Sequence, residues 1–190
     1  MLKRGFKAEA EKLASYYRKL LGRKDYDPLP ARFLAAELKI KLLTPQDIPG
    51  IDKELLHQLL VVGKDAWSAA IYRKEEKEFI IYNPTHSSFR QESDLMHELA
   101  HAICKHELND LATAILDCVI PLRKYKEDQE EEAGWLGACL QLPQKALIHH
   151  YIFKKMNEDN ISNLFNASAK MVDYRISISG VKFIKKRLGK

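Results

Sequence analysis

The sequence predicts an α+β fold in which a small antiparallel sheet packs on helices and the C-terminal half is mostly helical. Three observations carry this. Apolar residues recur at helical spacing from Gly5 to Leu21 and through much of the chain beyond Pro84. Two aromatic and β-branched runs, Trp67 to Tyr72 and Glu78 to Tyr82, have strand composition. The charged Arg73-Lys74-Glu75-Glu76-Lys77 between them suits a solvated hairpin connection.

Phe6, Leu13, Tyr16, Tyr17 and Leu20 mark the first helix, with Gly22 as its stop. Asp27-Pro28-Leu29-Pro30 is a turn that opens a second helix through about Leu38. Ile40 to Leu43 reads as a short strand ended by Pro45, and a third helix covers Asp52 to Val61. After the Asn83-Pro84 turn, helices are expected at about Phe89 to Lys105, Leu108 to Val119, Asp128 to Leu142 and Gln144 to Met156, with short helices to the end. A chain of 190 residues fits one domain spanning residues 1–190, with its core at about 30–157 and a helical C-terminal extension at 158–190.

Composition narrows the class. With 46% hydrophobic and 30% charged residues the chain reads as an ordinary soluble protein rather than a disordered or collagen-like one. No apolar stretch reaches the roughly 18 to 20 residues of a membrane span. The first residues lack a secretory apolar core and carry acid, so a cytoplasmic location is expected. Cys104, Cys118 and Cys139 form no Cys-x-x-Cys and read as buried thiols. The net charge of +5 permits an acidic partner, but basic and acidic residues are interspersed except in the tail Lys182 to Lys190.

The chemistry is concentrated in Ser93-Asp94-Leu95-Met96-His97-Glu98-Leu99-Ala100-His101-Ala102-Ile103-Cys104. On a helix His97 and His101 differ by about 40° and can share one zinc ion. Glu98 falls about 60° from His101, where it can reach a metal-activated water without ligating the metal. Leu95, Met96, Leu99 and Ile103 occupy the opposite face and should pack into the core. The five-residue motif is short, and two solvated or core histidines are the plain alternative.

A catalytic zinc takes three protein ligands and keeps one position open. On the same wheel His106 lies on the Leu95 and Leu99 side, so it reads as structural or exposed. Cys104 projects beside His97 but is better read as a small core thiol. Cys104 and Glu107 stand where the metzincin pattern wants glycine and histidine, which excludes that class. Glu130 is the expected third ligand: it shares a helical stripe with Gly134, Gly137 and Gln141, and the glycines would let this helix approach the zinc helix closely. Glu132 is the rival and would need a partner if buried. Glu127 and Glu131 suit a solvated first turn.

Three blocks together resemble the ImmA/IrrE family of zinc metallopeptidases over roughly residues 30 to 180. The first is the strand Phe79-Ile80-Ile81-Tyr82-Asn83 leading into His97-Glu98-Leu99-Ala100-His101. The second is Glu130 to Pro143, and the third is the terminal Ser168 to Arg175. The chain departs from the family in having Gly134 where Asn or Asp is usual and Gly137 where alanine is common, so a contact to a zinc ligand is either missing or supplied elsewhere. The resemblance implies a zincin-like fold and zinc-dependent endopeptidase activity on a specific transcriptional repressor, itself a helix-turn-helix protein. Zn2+ would sit on His97, His101 and Glu130, with Glu98 as the catalytic base. His149, His150, Tyr151, Tyr174 and Arg175 are candidate oxyanion donors.

Two other readings compete. Glu158 to Gly180 has the outline of a helix-turn-helix DNA-binding unit, with Lys170 and Arg175 as its nucleic-acid contacts; completion of the peptidase core is the favoured reading of these helices. The other is a catalytically inactive zinc-binding protein that binds a repressor without cutting it.

Overall fold

The computed structural model describes residues 2–74, 77–106, 109–110 and 126–189. Helices α1 (Phe6–Leu20) and α2 (Ala31–Glu37) precede strand β1 (Lys41–Leu43). Helix α3 (Lys53–His57), continued by a wider turn over Gln58–Val62, leads to the hairpin β2 (Ala69–Lys74) and β3 (Lys77–Tyr82). Helix α4 (Ser88–Ile103), strand β4 (Asn109–Asp110) and helix α5 (Glu127–Gln141) follow. The chain then forms α6 (Gln144–Leu147), a wide turn over Ile148–Phe153, α7 (Glu158–Phe165), α8 (Ala169–Ile178) and α9 (Val181–Arg187). Most of the expected helix near Leu108 to Val119, with Cys118, lies outside the described residues.

The fold is α+β, and the hairpin is antiparallel, with Ile71 opposite Ile80. The four-stranded sheet runs β1-β3-β2-β4 and is mixed, because β1 lies parallel to β3 and β4 parallel to β2. Both sheet faces are covered. Ile71 and Ile80 join Leu95, Met96 and Leu99 of α4 in the main core, while Ala70, Tyr72 and Ile81 point to a smaller cluster with Trp67 and Ile48. Period-two alternation thus feeds two clusters from one hairpin.

The α1 stripe differs from expectation. Its buried face is Phe6, Ala10, Ala14 and Arg18, each four residues from the last, while Tyr16 and Leu20 are exposed. The two alanines let α1 lie close to α5, so small residues take the inner face and larger ones flank it. A separate cluster of Leu142, Leu147, Ile161, Phe165, Val172 and Ile176 joins α6, α7 and α8.

Two fully buried arginines fasten the C-terminal end of α5. Arg18 donates to Leu140 O at 2.8 Å and to Gln141 O at 3.4 Å, and Arg175 Nε donates to Leu142 O at 2.8 Å. The last carbonyls of a helix have no partner within it, so these long-range donors satisfy groups that burial would otherwise leave bare. The terminal Ser168 to Arg175 block therefore has a structural role: Ser168 caps α8 by accepting from Met171 N, Val172 enters the second core, and Arg175 holds α5. At the other end of the site, Asn83 closes β3 by donating to Lys64 O and Trp67 O and accepting from Thr85. Among the described residues no helix is long and apolar enough to cross a membrane.

Candidate metal centre

His97 and His101 stand one turn apart on α4, and Glu130 reaches them from the first turn of α5. His97 Nε2 lies 3.1 Å from His101 Nε2 and 3.2 Å from Glu130 Oε2, and His101 Nε2 lies 3.4 Å from Glu130 Oε1. Ligand atoms about 2.0–2.1 Å from a tetrahedral ion are about 3.3 Å from one another, so these three fit one triangular face of such a site. They form a potential metal-holding group among the described residues. His101 is fully buried, whereas the His97 and Glu130 side chains are 32% and 44% exposed, giving a dry rear and a front open to water. Hydrogen bonding to His101 first and His97 second holds the Glu130 carboxyl well below the usual carboxylate range.

Close helix approach creates this geometry. A Cβ built on Gly137 would stand 3.1 Å from His97 N and Cα, tighter than ordinary packing allows without a shift. Gly137→Val is expected to push α5 away from α4, costing about 1–3 kcal/mol of stability. Urea unfolding should register that loss, and zinc titration should show weaker binding; unchanged values in both would contradict this account of the helix contact. Gly134 is different, because a Cβ there meets nothing within 4 Å. It borders an open cleft of about 780 Å³, which Glu130, Trp135 and Tyr174 also line.

Glu98 is 4% exposed, and its Oε2 accepts from Ile71 N at 2.8 Å. This bond ties the carboxylate following the first motif histidine to strand β2. Cys104 lies outside the ligand group, and burial pushes its thiol up to about 11, which disfavours a thiolate.

His106 departs from its expected place. The wheel that put it on the Leu95 side assumes a continuing helix, but α4 ends at Ile103 and Lys105 adopts φ 55°, reversing the chain. His106 is consequently 6% exposed, with Nδ1 2.9 Å from His101 Nδ1 and Nε2 3.2 Å from Glu132 Oε2. Burial pushes its imidazole below the usual histidine range, against the opposing pull of Glu132. Glu132 is buried and also lies 3.1 Å from Lys3 Nζ, so the partners it required are present. A third histidine soon after the motif and an acid two places from the ligand were the available signals; without the chain reversal they could not be joined.

The oxyanion candidates separate. Arg175 is buried on Leu142 O and Glu11, which also removes it from a DNA-facing surface. His149 stacks on Tyr26, His150 bonds Tyr26 O, and Tyr151 packs beneath Lys185. Tyr174 lines the cleft that Glu130 borders.

A family model described as Peptidase M78, IrrE N-terminal-like domain, matches residues 55–177. No curated protein is significantly similar in sequence. Among solved structures, a Mycobacterium tuberculosis transcriptional regulator is similar at a TM-score of 0.50 and 12% identity over 93% of this chain. The chain spans 48% of that protein's length, and the likeness is one of fold.

Proposed function

We propose, for a chain that belongs to the Peptidase M78 family of IrrE N-terminal-like domains, that it is a zinc-dependent endopeptidase cleaving a specific helix-turn-helix transcriptional repressor. The observation that carries the catalytic part is the convergence of His97, His101 and Glu130 with ligand atoms 3.1 to 3.4 Å apart. Two imidazoles and one carboxylate suit zinc with a coordination position left for water or substrate. The regulatory substrate rests on the family, and a cytoplasmic setting goes with it. The neighbour's description as a transcriptional regulator accords with this setting, but at 12% identity it supports the fold alone.

Bound zinc would supply an acidified water and polarise the scissile carbonyl. Glu98, held by Ile71 N–H, takes the proton of the attacking water and delivers it to the leaving amine. Tyr174 is the candidate donor toward the developing oxyanion because it shares the cleft with Glu130. The partly exposed His97 and Glu130 leave the front accessible to a peptide, while buried His101 anchors the rear. Nothing in the position of Arg175 favours the DNA-binding reading, since its side chain is fully buried on Leu142 O and Glu11.

The test is incubation of the zinc-loaded protein with a helix-turn-helix repressor that it binds, with fragments identified by mass spectrometry. Cleavage at one defined bond, blocked by a chelator and restored by zinc, is expected. A repressor that binds the zinc-loaded protein and stays intact would overturn the endopeptidase reading in favour of a non-cutting partner.

A further inference from the structure

We propose that His106, Glu132 and Lys3 form a positioning relay that fixes the tautomer of His101 and so presents its Nε2 lone pair to a divalent metal. The inference rests on the metallopeptidase reading in taking His101 as a ligand, and its readouts are histidine tautomers and zinc affinity rather than peptide cleavage.

Four groups stand in line. His101 Nδ1 lies 2.9 Å from His106 Nδ1, His106 Nε2 lies 3.2 Å from Glu132 Oε2, and Glu132 Oε1 lies 3.1 Å from Lys3 Nζ. Two ring nitrogens 2.9 Å apart need one proton between them, carried by one ring and accepted by the other. The carboxylate decides which. Glu132 beside Lys3 accepts, so His106 Nε2–H donates to it; neutral His106 then offers a lone pair at Nδ1, and His101 must donate from Nδ1–H. This leaves His101 Nε2 without a proton on the side facing His97 and Glu130, as metal ligation requires. The reverse order sets a His106 lone pair against Glu132; without metal a bond from His101 Nε2–H to Glu130 Oε1, 3.4 Å away, offsets this, whereas with metal on Nε2 only the first order remains.

The backbone supplies the parts. Left-handed Lys105 folds the chain back, and His106 N donates to His101 O at 3.0 Å, placing one imidazole behind the other. Glu130 and Glu132 are two residues apart on α5, hence about 200° around it. One acid reaches the Nε2 side of His101, and the other reaches its Nδ1 side through His106. Gly134 makes no such contact; the support for this ligand comes from behind it.

Long-range nitrogen–proton NMR on zinc-loaded protein labelled at histidine reads the tautomers directly. The expected result is Nδ1–H on His101 and Nε2–H on His106. Glu132→Gln should preserve this pattern, because an amide oxygen still accepts, whereas Glu132→Leu should release it and weaken zinc binding about 10- to 100-fold in a chelator competition. His106→Leu should weaken binding similarly, and His106→Asn should recover part of the loss by restoring an acceptor toward His101. A zinc-loaded wild type whose His106 carries its proton on Nδ1 rather than Nε2 overturns the relay. So does a folded His106→Leu variant with wild-type zinc affinity. Failure of the folded wild type to bind zinc at all would instead overturn the metal reading.

Discussion

Glu98→Gln is expected to retain one zinc ion per chain while lowering repressor cleavage by about 10²- to 10⁴-fold, the usual contribution of a positioned general acid–base group. The substitution is nearly isosteric. Its amide oxygen can still accept the 2.8 Å bond from Ile71 N, so the junction of β2 and α4 should persist. What the amide loses is the capacity to take a proton from water and return it to the amine. Metal analysis and initial cleavage rates, measured on one preparation, separate these roles. Wild-type cleavage by the glutamine variant would remove Glu98 from the mechanism, and loss of zinc would show that it acts instead on the metal site.

Glu130→Ala is expected to lower zinc affinity by more than the roughly 100-fold that marks loss of an outer hydrogen bond, with little loss of folding stability. Its side chain is 44% exposed, so truncation leaves no sizeable cavity. The lost carboxylate oxygens, however, lie 3.2 and 3.4 Å from the two histidine nitrogens. Glu132→Ala provides the comparison because Glu132 touches His106 and Lys3. Chelator competition on both variants ranks the two acids. A greater loss from Glu132→Ala would reverse their assignments.

Local spacing made part of this arrangement legible. The repeat that separates His97 and His101 from Leu95 and Leu99 is the one that places imidazoles and core on different sides of α4. The stripe through Glu130 and Gly137 likewise anticipated a close helix pair, and Gly137 does meet the His97 backbone. What escaped depends on contacts distant in sequence. Arg175 looks like a surface residue until the C-terminal carbonyls beyond α5 are brought beside it, 33 positions away. The parallel partners β1 and β4 are set by long connections that a hairpin pattern does not encode. His106 was misplaced because its helix stops without a glycine or proline to mark the stop, and Lys105 accepts a left-handed backbone that lysine rarely favours.

The most direct measurement is X-ray absorption spectroscopy of the zinc-loaded wild type beside His97→Ala and Glu130→Ala. The wild type should show two imidazole nitrogens and low-Z oxygen neighbours at about 2.0–2.2 Å with no sulfur. Each variant should lose its ligand or bind no zinc under the same conditions. A sulfur neighbour near 2.3 Å, or a wild-type spectrum unchanged in both variants, would contradict a metal centre built from these side chains.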